Sequence, residues 1–243
     1  MRRVLALLLC LLAARVGAAD GEWVRSVDAT VESKFVRRGI ERAGASVRPG
    51  AWLTDEAWSF GAWVNLPLAQ GRWRELGVSA GYTHTFERGA AVGIRIAHYH
   101  LGDAYDGHPA HTGEVTASVA LPLGPGRATA SFTRDVNRRA DIGELSYAGD
   151  YALKAWGAFL HYRIYGGSVE ADDALPQLPG ARVEDAYTYH GLDLTLPYRI
   201  GGQTVLTAGG HYAGTNGARR FWSPNEASPG GRIWFSLAAS YEF

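Results

Sequence analysis

Hydrophobic and polar positions alternate with a period of two along most of the chain after residue 20. The C-terminal stretch GRIWFSLAASYEF shows the pattern most clearly, because Ile233, Phe235, Leu237, Ala239, Tyr241 and Phe243 interleave with a mostly polar set that includes Arg232, Ser236, Ser240 and Glu242. Alternation of this kind indicates a β-strand with one apolar face. No stretch after residue 20 keeps the helical period for more than a turn or two, so the pattern predicts an all-β protein.

The same alternation recurs in twelve segments of about nine to eleven residues each. Tilted strands of this length cross a bilayer, and even strand numbers are typical of bacterial outer-membrane barrels. We therefore predict a 12-stranded antiparallel transmembrane β-barrel. The last strand must then pair with the first, since an open sheet edge in hydrocarbon leaves backbone groups unsatisfied.

The connections between the predicted strands alternate between long and short. Long links fall at 37–45, 67–75, 102–112, 134–144, 166–186 and 213–230, and short ones at 54–57, 87–91, 123–127, 153–155 and 197–203. Outer-membrane barrels combine short periplasmic turns with longer extracellular loops. This pattern predicts that both chain ends lie in the periplasm.

The composition of the two faces favours a membrane barrel over a soluble sandwich or barrel. The polar face carries mainly Ser, Thr and Gly with scattered charges, whereas the surface of a soluble protein would be rich in Lys and Glu. Aromatic residues near strand ends are predicted to form two girdles at the lipid headgroups: Phe35, Trp58, Phe86, Tyr147, Tyr151, Trp156, Tyr162, Tyr212, Tyr241 and Phe243.

The first nineteen residues differ from the rest. Arg2 and Arg3 precede an apolar run and small residues at a cleavage site, which predicts a signal peptide at 1–19 and a barrel domain at 20–243. Export would place the barrel in the outer membrane of a Gram-negative bacterium. Removal of the segment also removes Cys10, the one cysteine, and leaves 24 − 3 = 21 basic against 24 acidic residues. That slight negative charge argues against nucleic acid as a partner.

Charged residues on the polar face are the candidates for lining a pore. They are Asp28, Glu32, Lys34, Arg48, Arg95, Glu114, Asp150, Arg163, Asp193 and Arg232, with Glu242 at the end of the last strand. Six acids against five bases predict no strong ion selectivity. We expect passive diffusion of small polar solutes, with no cofactor. A barrel closed by its own side chains, with a structural role, is the alternative.

Two stretches carry a resemblance to known proteins. VESKFVRRGIERAGASVRPGAWL followed by FGAWVNLPL resembles the opening of the TorF family of outer-membrane porins, with matches at Ser33, Phe35, Val36, Arg38, Gly39, Ala62 and Trp63. Arg37 departs from the apolar residue expected at its position. The resemblance implies a small outer-membrane channel. Tyr241 and Phe243 resemble the C-terminal signature that the barrel-assembly machinery recognises, which implies that machinery as a partner.

Histidines raise two further possibilities. His84, His161, His190 and His211 could serve as bases in a barrel-embedded lipid-modifying enzyme, although no serine lies in a recognisable lipase context. A second group, His98, His100, His108 and His111, falls within HYHLGDAYDGHPAH, and imidazole together with carboxylate suits Zn²⁺ or Cu²⁺. The spacing matches no defined metal site, so these remain weak metal candidates. Loops rich in Arg and aromatic residues could contact lipopolysaccharide.

Overall fold

The computed structural model describes residues 23–69, 74–101, 111–137, 139–154, 157–174, 182–216 and 230–243. The predicted signal peptide at 1–19 lies outside the described residues, as does Trp156. These residues form fourteen strands: β1 Val24–Glu32, β2 Phe35–Arg37, β3 Ile40–Ala43, β4 Ser46–Thr54, β5 Trp58–Pro67, β6 Glu75–Thr85, β7 Ala91–Leu101, β8 His111–Leu123, β9 Gly126–Asp135, β10 Ala140–Leu153, β11 Ala158–Ala174, β12 Arg182–Ile200, β13 Thr204–Asn216 and β14 Gly230–Glu242.

Twelve of these strands form one closed antiparallel barrel in the order β1, β14, β13 and so on down to β4, which pairs again with β1. The prediction of a 12-stranded antiparallel β-barrel is confirmed. β2 and β3 pair only with each other and stand outside the barrel sheet. No helix among the described residues is long and apolar enough to cross a membrane.

Closure depends on the C-terminal strand. β14 pairs with β1 from Ser26↔Glu242 to Glu32↔Ser236, so the strand that ends the chain forms hydrogen bonds with the strand that opens the barrel. The ladder extends to the last residue, because the Phe243 amide donates to the Arg25 carbonyl at 2.9 Å. The sheet therefore has no free edge, as a strand structure in lipid requires.

The outer face carries the predicted apolar set. Large side chains that point away from the lumen are exposed on strand after strand, among them Val31, Ile94, Ile96, Val119, Leu121, Phe132, Leu145, Ile164, Ile233, Phe235 and Leu237. The one described ion pair on this face joins Arg134 to Asp141 across β9 and β10 at 2.7 Å. An apolar belt of this kind is what lipid contact demands.

We call the two openings of the barrel the turn end and the hairpin end. The turn end holds both termini of the barrel and the short links at 55–57, 86–90, 124–125 and 201–203, and β10 ends and β11 begins there. Aromatic side chains gather on its outer face: Trp58, Tyr82, Phe86, Tyr147, Tyr151, Tyr162, Tyr198, Tyr241 and Phe243. The hairpin end is the opposite opening, next to β2 and β3.

Two predicted long loops at the hairpin end are shorter than expected. β9 and β10 remain paired up to Asp135↔Ala140, so only 136–139 connect them, where the sequence predicted a link over 134–144. The link predicted at 166–186 is mostly a two-stranded ribbon, because β11 and β12 stay paired out to Ala174↔Arg182. In both cases polar residues continue the ladder beyond the apolar belt, where lipid no longer selects their faces.

Candidate functional site in the barrel lumen

The connection after β1 folds into the lumen as a hairpin made of β2 and β3. Phe35 is 4% exposed, and its ring lies edge-on to Trp63 of the barrel wall with 6.0 Å between centroids. The expectation that Phe35 faces lipid was wrong, as was the placement of 37–45 outside the barrel. The cause is that β1 ends at Glu32, so its alternation does not carry through Ser33 and Lys34 into β2.

The tip of the hairpin has the geometry of a tight two-residue turn. Arg38 and Gly39 both have positive φ, 50° and 76°, which matches the type I′ turn that joins twisted strands. Gly39 also abuts the wall: a Cβ there would meet Thr215 and would come within 3.1 Å of both the Gly214 carbonyl and the Tyr189 Cβ. Glycine therefore serves both the turn and its close approach to the wall.

Apolar contacts hold one side of the hairpin against the wall. Ile40, which is 2% exposed, packs in a buried cluster with Ile142 of β10, Val169 of β11, and Tyr187 and Tyr189 of β12. These wall residues point into the lumen, although they are apolar or aromatic. Tyr187 and Tyr189 are out of phase with the apolar outer-face position Leu192, and their packing on the hairpin accounts for them.

Ion pairs hold the other side of the hairpin against the wall. The Arg37 guanidinium donates to Glu75 of β6 and Glu114 of β8, each at 2.9 Å, and Arg38 donates to both oxygens of Glu114 at 2.9 Å. Arg42 donates to Glu75 at 3.3 Å. Burial acts to lower the pKa of Arg37 and Arg38, but the surrounding acidic groups, of which Glu114 acts most strongly, together outweigh it and raise both pKa values, so both stay charged.

Two predicted pore-lining residues instead contact the hairpin. Lys34 lies in the link between β1 and β2, and its Nζ is 3.5 Å from Glu41 of β3. Arg232 of β14 donates to the Gly39 carbonyl at 3.2 Å, and its Nε is 3.9 Å from Glu41. The hairpin thus contacts residues of the wall from β5 around to β14.

A cavity of about 610 Å³ lies in the lumen against the hairpin. Six of the ten predicted pore-lining residues border it: Asp28, Arg48, Arg95, Glu114, Arg163 and Asp193. Glu32 is buried beside Ser46, with its carboxylate 4.0 Å from Arg48. Asp150 lies toward the turn end, where it pairs with His161.

Sequence reasoning missed several residues of this site. Arg37, Arg38 and Glu144 border the cavity, and Glu75 anchors the hairpin. The stretch FVRRGIERA did carry a usable pattern, because short alternating segments flank a dipeptide that ends in Gly, which is typical of a β-hairpin. Glu75 had been assigned to a loop, so its lumen position could not be read from the alternation.

A relay of three polar side chains crosses β12, β13 and β14. His211 Nδ1 is 2.8 Å from Asp193 Oδ1, and His211 Nε2 is 2.9 Å from Ser236 Oγ. The imidazole stacks on Trp234 with 5.0 Å between ring centroids. The sequence showed no serine in a lipase context near the histidines, because Ser236 meets His211 only through the pairing of neighbouring strands.

Three of the four histidines proposed as weak metal candidates lie on the outer face. His98, His100 and His111 are exposed, and the His98 and His111 rings are 5.9 Å apart between centroids. His108 lies outside the described residues. Within the described part of the chain, no group of three or more His, Cys, Asp or Glu side chains is placed to hold a metal ion.

The C-terminal aromatics lie on the outer face at the turn end. The rings of Tyr241 and Phe243 contact edge to face, 5.0 Å between centroids, and the Tyr241 hydroxyl donates to Gln203 at 2.8 Å. Their recognition by the assembly machinery stays a prediction.

Comparison with known proteins shows which solved structures share this fold. No protein-family model matches the chain, and no curated protein matches it. Among solved structures, the chain is similar to a KdgM porin in complex with disordered oligogalacturonate (TM-score 0.53, 10% identity, 90% of this chain and 99% of that one). It is also similar to the COG4313 outer-membrane channel from Pseudomonas putida F1 (TM-score 0.54, 11% identity, 93% and 97%). The chain therefore has the fold of outer-membrane porin-like barrels.

Proposed function

We propose that this protein is a bacterial outer-membrane channel for passive diffusion of small polar solutes, narrowed by the β2–β3 hairpin. One observation carries the proposal: a cavity of about 610 Å³, bordered by charged side chains, lies in the lumen between the hairpin and the wall. A barrel with a purely structural role would have no need of so many buried charges, since each costs free energy to desolvate.

The location and partners follow from the same reasoning. The apolar belt would contact outer-membrane lipid and lipopolysaccharide, and the C-terminal strand with Tyr241 and Phe243 would engage the barrel-assembly machinery. The match of Ser33, Phe35, Arg38 and Gly39 to the TorF opening supports a relation to that family of channels. Five of the seven matching positions, Val36 included, lie in the hairpin or its entry, which connects the resemblance to the part of the chain that fills the lumen.

Planar-bilayer recording tests the channel. Purified protein inserted into a lipid bilayer in KCl solution should give discrete, ohmic conductance steps. Protein that is folded, judged by heat-modifiable migration on gels, and yet electrically silent would contradict the proposal and favour a closed barrel.

The Asp193–His211–Ser236 relay favours a second candidate, a hydrolase inside the barrel. Its order and distances suit a serine nucleophile activated by a base that an acid orients. Against it, Glu32 pairs directly with Ser236 across β1 and β14, and a carboxylate there would repel a developing oxyanion. Labelling by a fluorophosphonate probe that is lost in Ser236→Ala would support the hydrolase, and no labelling of the folded protein would exclude it.

A further inference from the structure

We propose that the lumen cavity selects small organic anions and binds their carboxylate groups at Arg48 and Arg95. The inference rests on the proposed channel function and adds the class of solute. Counting charges along the wall alone had predicted no strong ion selectivity. The hairpin changes the count, because it adds Arg37 and Arg38 to the residues that border the cavity, giving five arginines against four carboxylates.

All four cavity carboxylates already accept hydrogen bonds from the protein. Asp28 accepts from Trp52 Nε1 at 2.5 Å, and Glu114 is held by Arg37 and Arg38. The other two are held in the same way. Glu144 accepts from Arg163 at 2.5 Å and from the Tyr189 hydroxyl at 2.8 Å, and Asp193 contacts His211 at 2.8 Å. Each cavity carboxylate therefore has a hydrogen-bond donor of its own, and arginines neutralise Glu114 and Glu144 directly.

Two of the five arginines are not committed in this way. Among the described residues, Arg48 reaches no carboxylate closer than Glu32, at 4.0 Å, which is beyond hydrogen-bond distance. Arg95 is exposed and borders the cavity, and its charge acts on Glu114, but within the described part of the chain it forms no ion pair with a carboxylate. By contrast, Arg37, Arg38 and Arg163 all pair with glutamates. The side chains that remain available to bind a solute in the cavity are therefore the cationic groups of Arg48 and Arg95.

The geometry of the guanidinium group narrows the class of anion that the cavity can bind. Its planar fork binds carboxylate and phosphate oxygens in pairs, more specifically than a point charge would. Aromatic rings lie beside Arg48: the ring centroids of Phe35 and Trp63 are 5.9 and 6.0 Å from its guanidinium carbon. Rings beside a cation suit a solute with an apolar face next to its acid group. The cavity volume, about 610 Å³, falls in the range of small-molecule sites.

Reversal potentials measured across a bilayer with a KCl gradient test the selectivity. The wild type should pass Cl⁻ more readily than K⁺, and the Arg48→Gln/Arg95→Gln double variant should lose that preference. Arg134→Gln is the matched control, because it removes one positive charge from the outer face and should leave the potential unchanged. A cation-preferring wild type, or a double variant with wild-type preference, would overturn the inference.

Calorimetric titration of detergent-solubilised protein tests the binding site without conduction. Citrate should bind, glucose should not, and each Arg→Gln change should weaken citrate affinity about tenfold, the value of a charged hydrogen bond. Inorganic phosphate is a second arm: binding tighter than that of citrate would reassign the site to phosphorylated solutes and overturn the carboxylate preference. A silent bilayer with citrate binding intact would reject the channel and keep the site, whereas conductance without citrate binding would reject the site alone.

Discussion

The two ends of the lumen are built from the same alternating wall, yet they differ in packing. At the hairpin end, inward side chains such as Glu75, Asn65 and Val169 are almost fully buried. At the turn end, the inward Phe159 is 57% exposed, and Asp150 and His161 are open to solvent. The wall pattern does not explain this difference, because the inserted β2–β3 hairpin alone fills one end. A barrel can therefore acquire a packed core at one end and keep a wet passage at the other.

The difference predicts unequal energies for similar contacts. A buried ion pair that loses one partner leaves an uncompensated charge, which costs about 3–5 kcal/mol. An exposed pair contributes about 0–1 kcal/mol, since water screens it. Matched substitutions at the two ends should therefore differ widely in how much they lower the free energy of unfolding.

The largest effect is expected from Glu114→Ala. The change leaves Arg37 and Arg38 without their shared carboxylate, at a cost of about 3–5 kcal/mol, so the hairpin should leave the lumen. Trypsin reports this directly, because it cleaves after arginine. The wild type in detergent should resist cleavage after Arg37 and Arg38, and the variant should be cut there. Equal resistance of the two proteins would contradict the ionic anchor.

Ile40→Ala should come next. Truncation in the buried cluster with Ile142 and Val169 removes packed methyl groups and leaves a cavity, at a cost of about 2–5 kcal/mol. Phe159→Ala is the control at the turn end, where the ring is largely exposed and its removal should have little effect on unfolding. Thermal unfolding in detergent, followed by circular dichroism, compares the two. If both variants lose the same stability, the hairpin end is no better packed than the turn end.

A pair of glycine substitutions separates backbone strain from crowding. Gly39→Ala and Gly201→Ala both place a side chain at positive φ, 76° and 69°, at a shared cost of about 1–2 kcal/mol. Only Gly39 meets the wall, since a Cβ at Gly201 has open space around it. Gly39→Ala should therefore be the more destabilising of the two in urea titration. Equal losses would mean that the hairpin tip does not press against Thr215 and Tyr189.

The smallest effect is expected from Asp150→Asn. Its partner His161 is exposed at the turn end, so breaking the contact should change the free energy of unfolding by at most about 1 kcal/mol. Urea unfolding of this variant beside Glu114→Ala checks the contrast. A loss as large as that of Glu114→Ala would show that the turn end is not wet.

The barrel could be predicted from the sequence because contact with lipid requires apolar and polar residues to alternate along each strand. The large apolar side chains on the outer face, from Val31 to Leu237, form the belt that lipid contact demands, so the apolar phase has one interpretation. The hairpin could not be predicted in the same way. Phe35 and Ile40 are apolar because they pack on Trp63 and Ile142 inside the barrel, and a short apolar pair does not tell lipid from a filled lumen.

The candidate site shows the same distinction between residues that strand alternation predicts and residues that it does not. Arg48, Arg95 and Arg163 were identified as lumen residues, because strand phase alone decides which way they point. The pairings between charged residues were not predicted, since Glu144 and Arg163 meet only through the β10–β11 register, and Arg37 and Glu114 meet only through the hairpin. Pairing across 77 residues of sequence leaves no local pattern to read.

The central claim is that the β2–β3 hairpin sets the width of the passage. Glu32 and Ser46 already pair across β1 and β4, so an Asn-Gly turn can replace residues 33–45 without opening the barrel. Single-channel conductance of this variant and of the wild type, in the same KCl solution, is the direct measurement. The account predicts a severalfold larger conductance for the variant, and equal conductance in two folded barrels would contradict it.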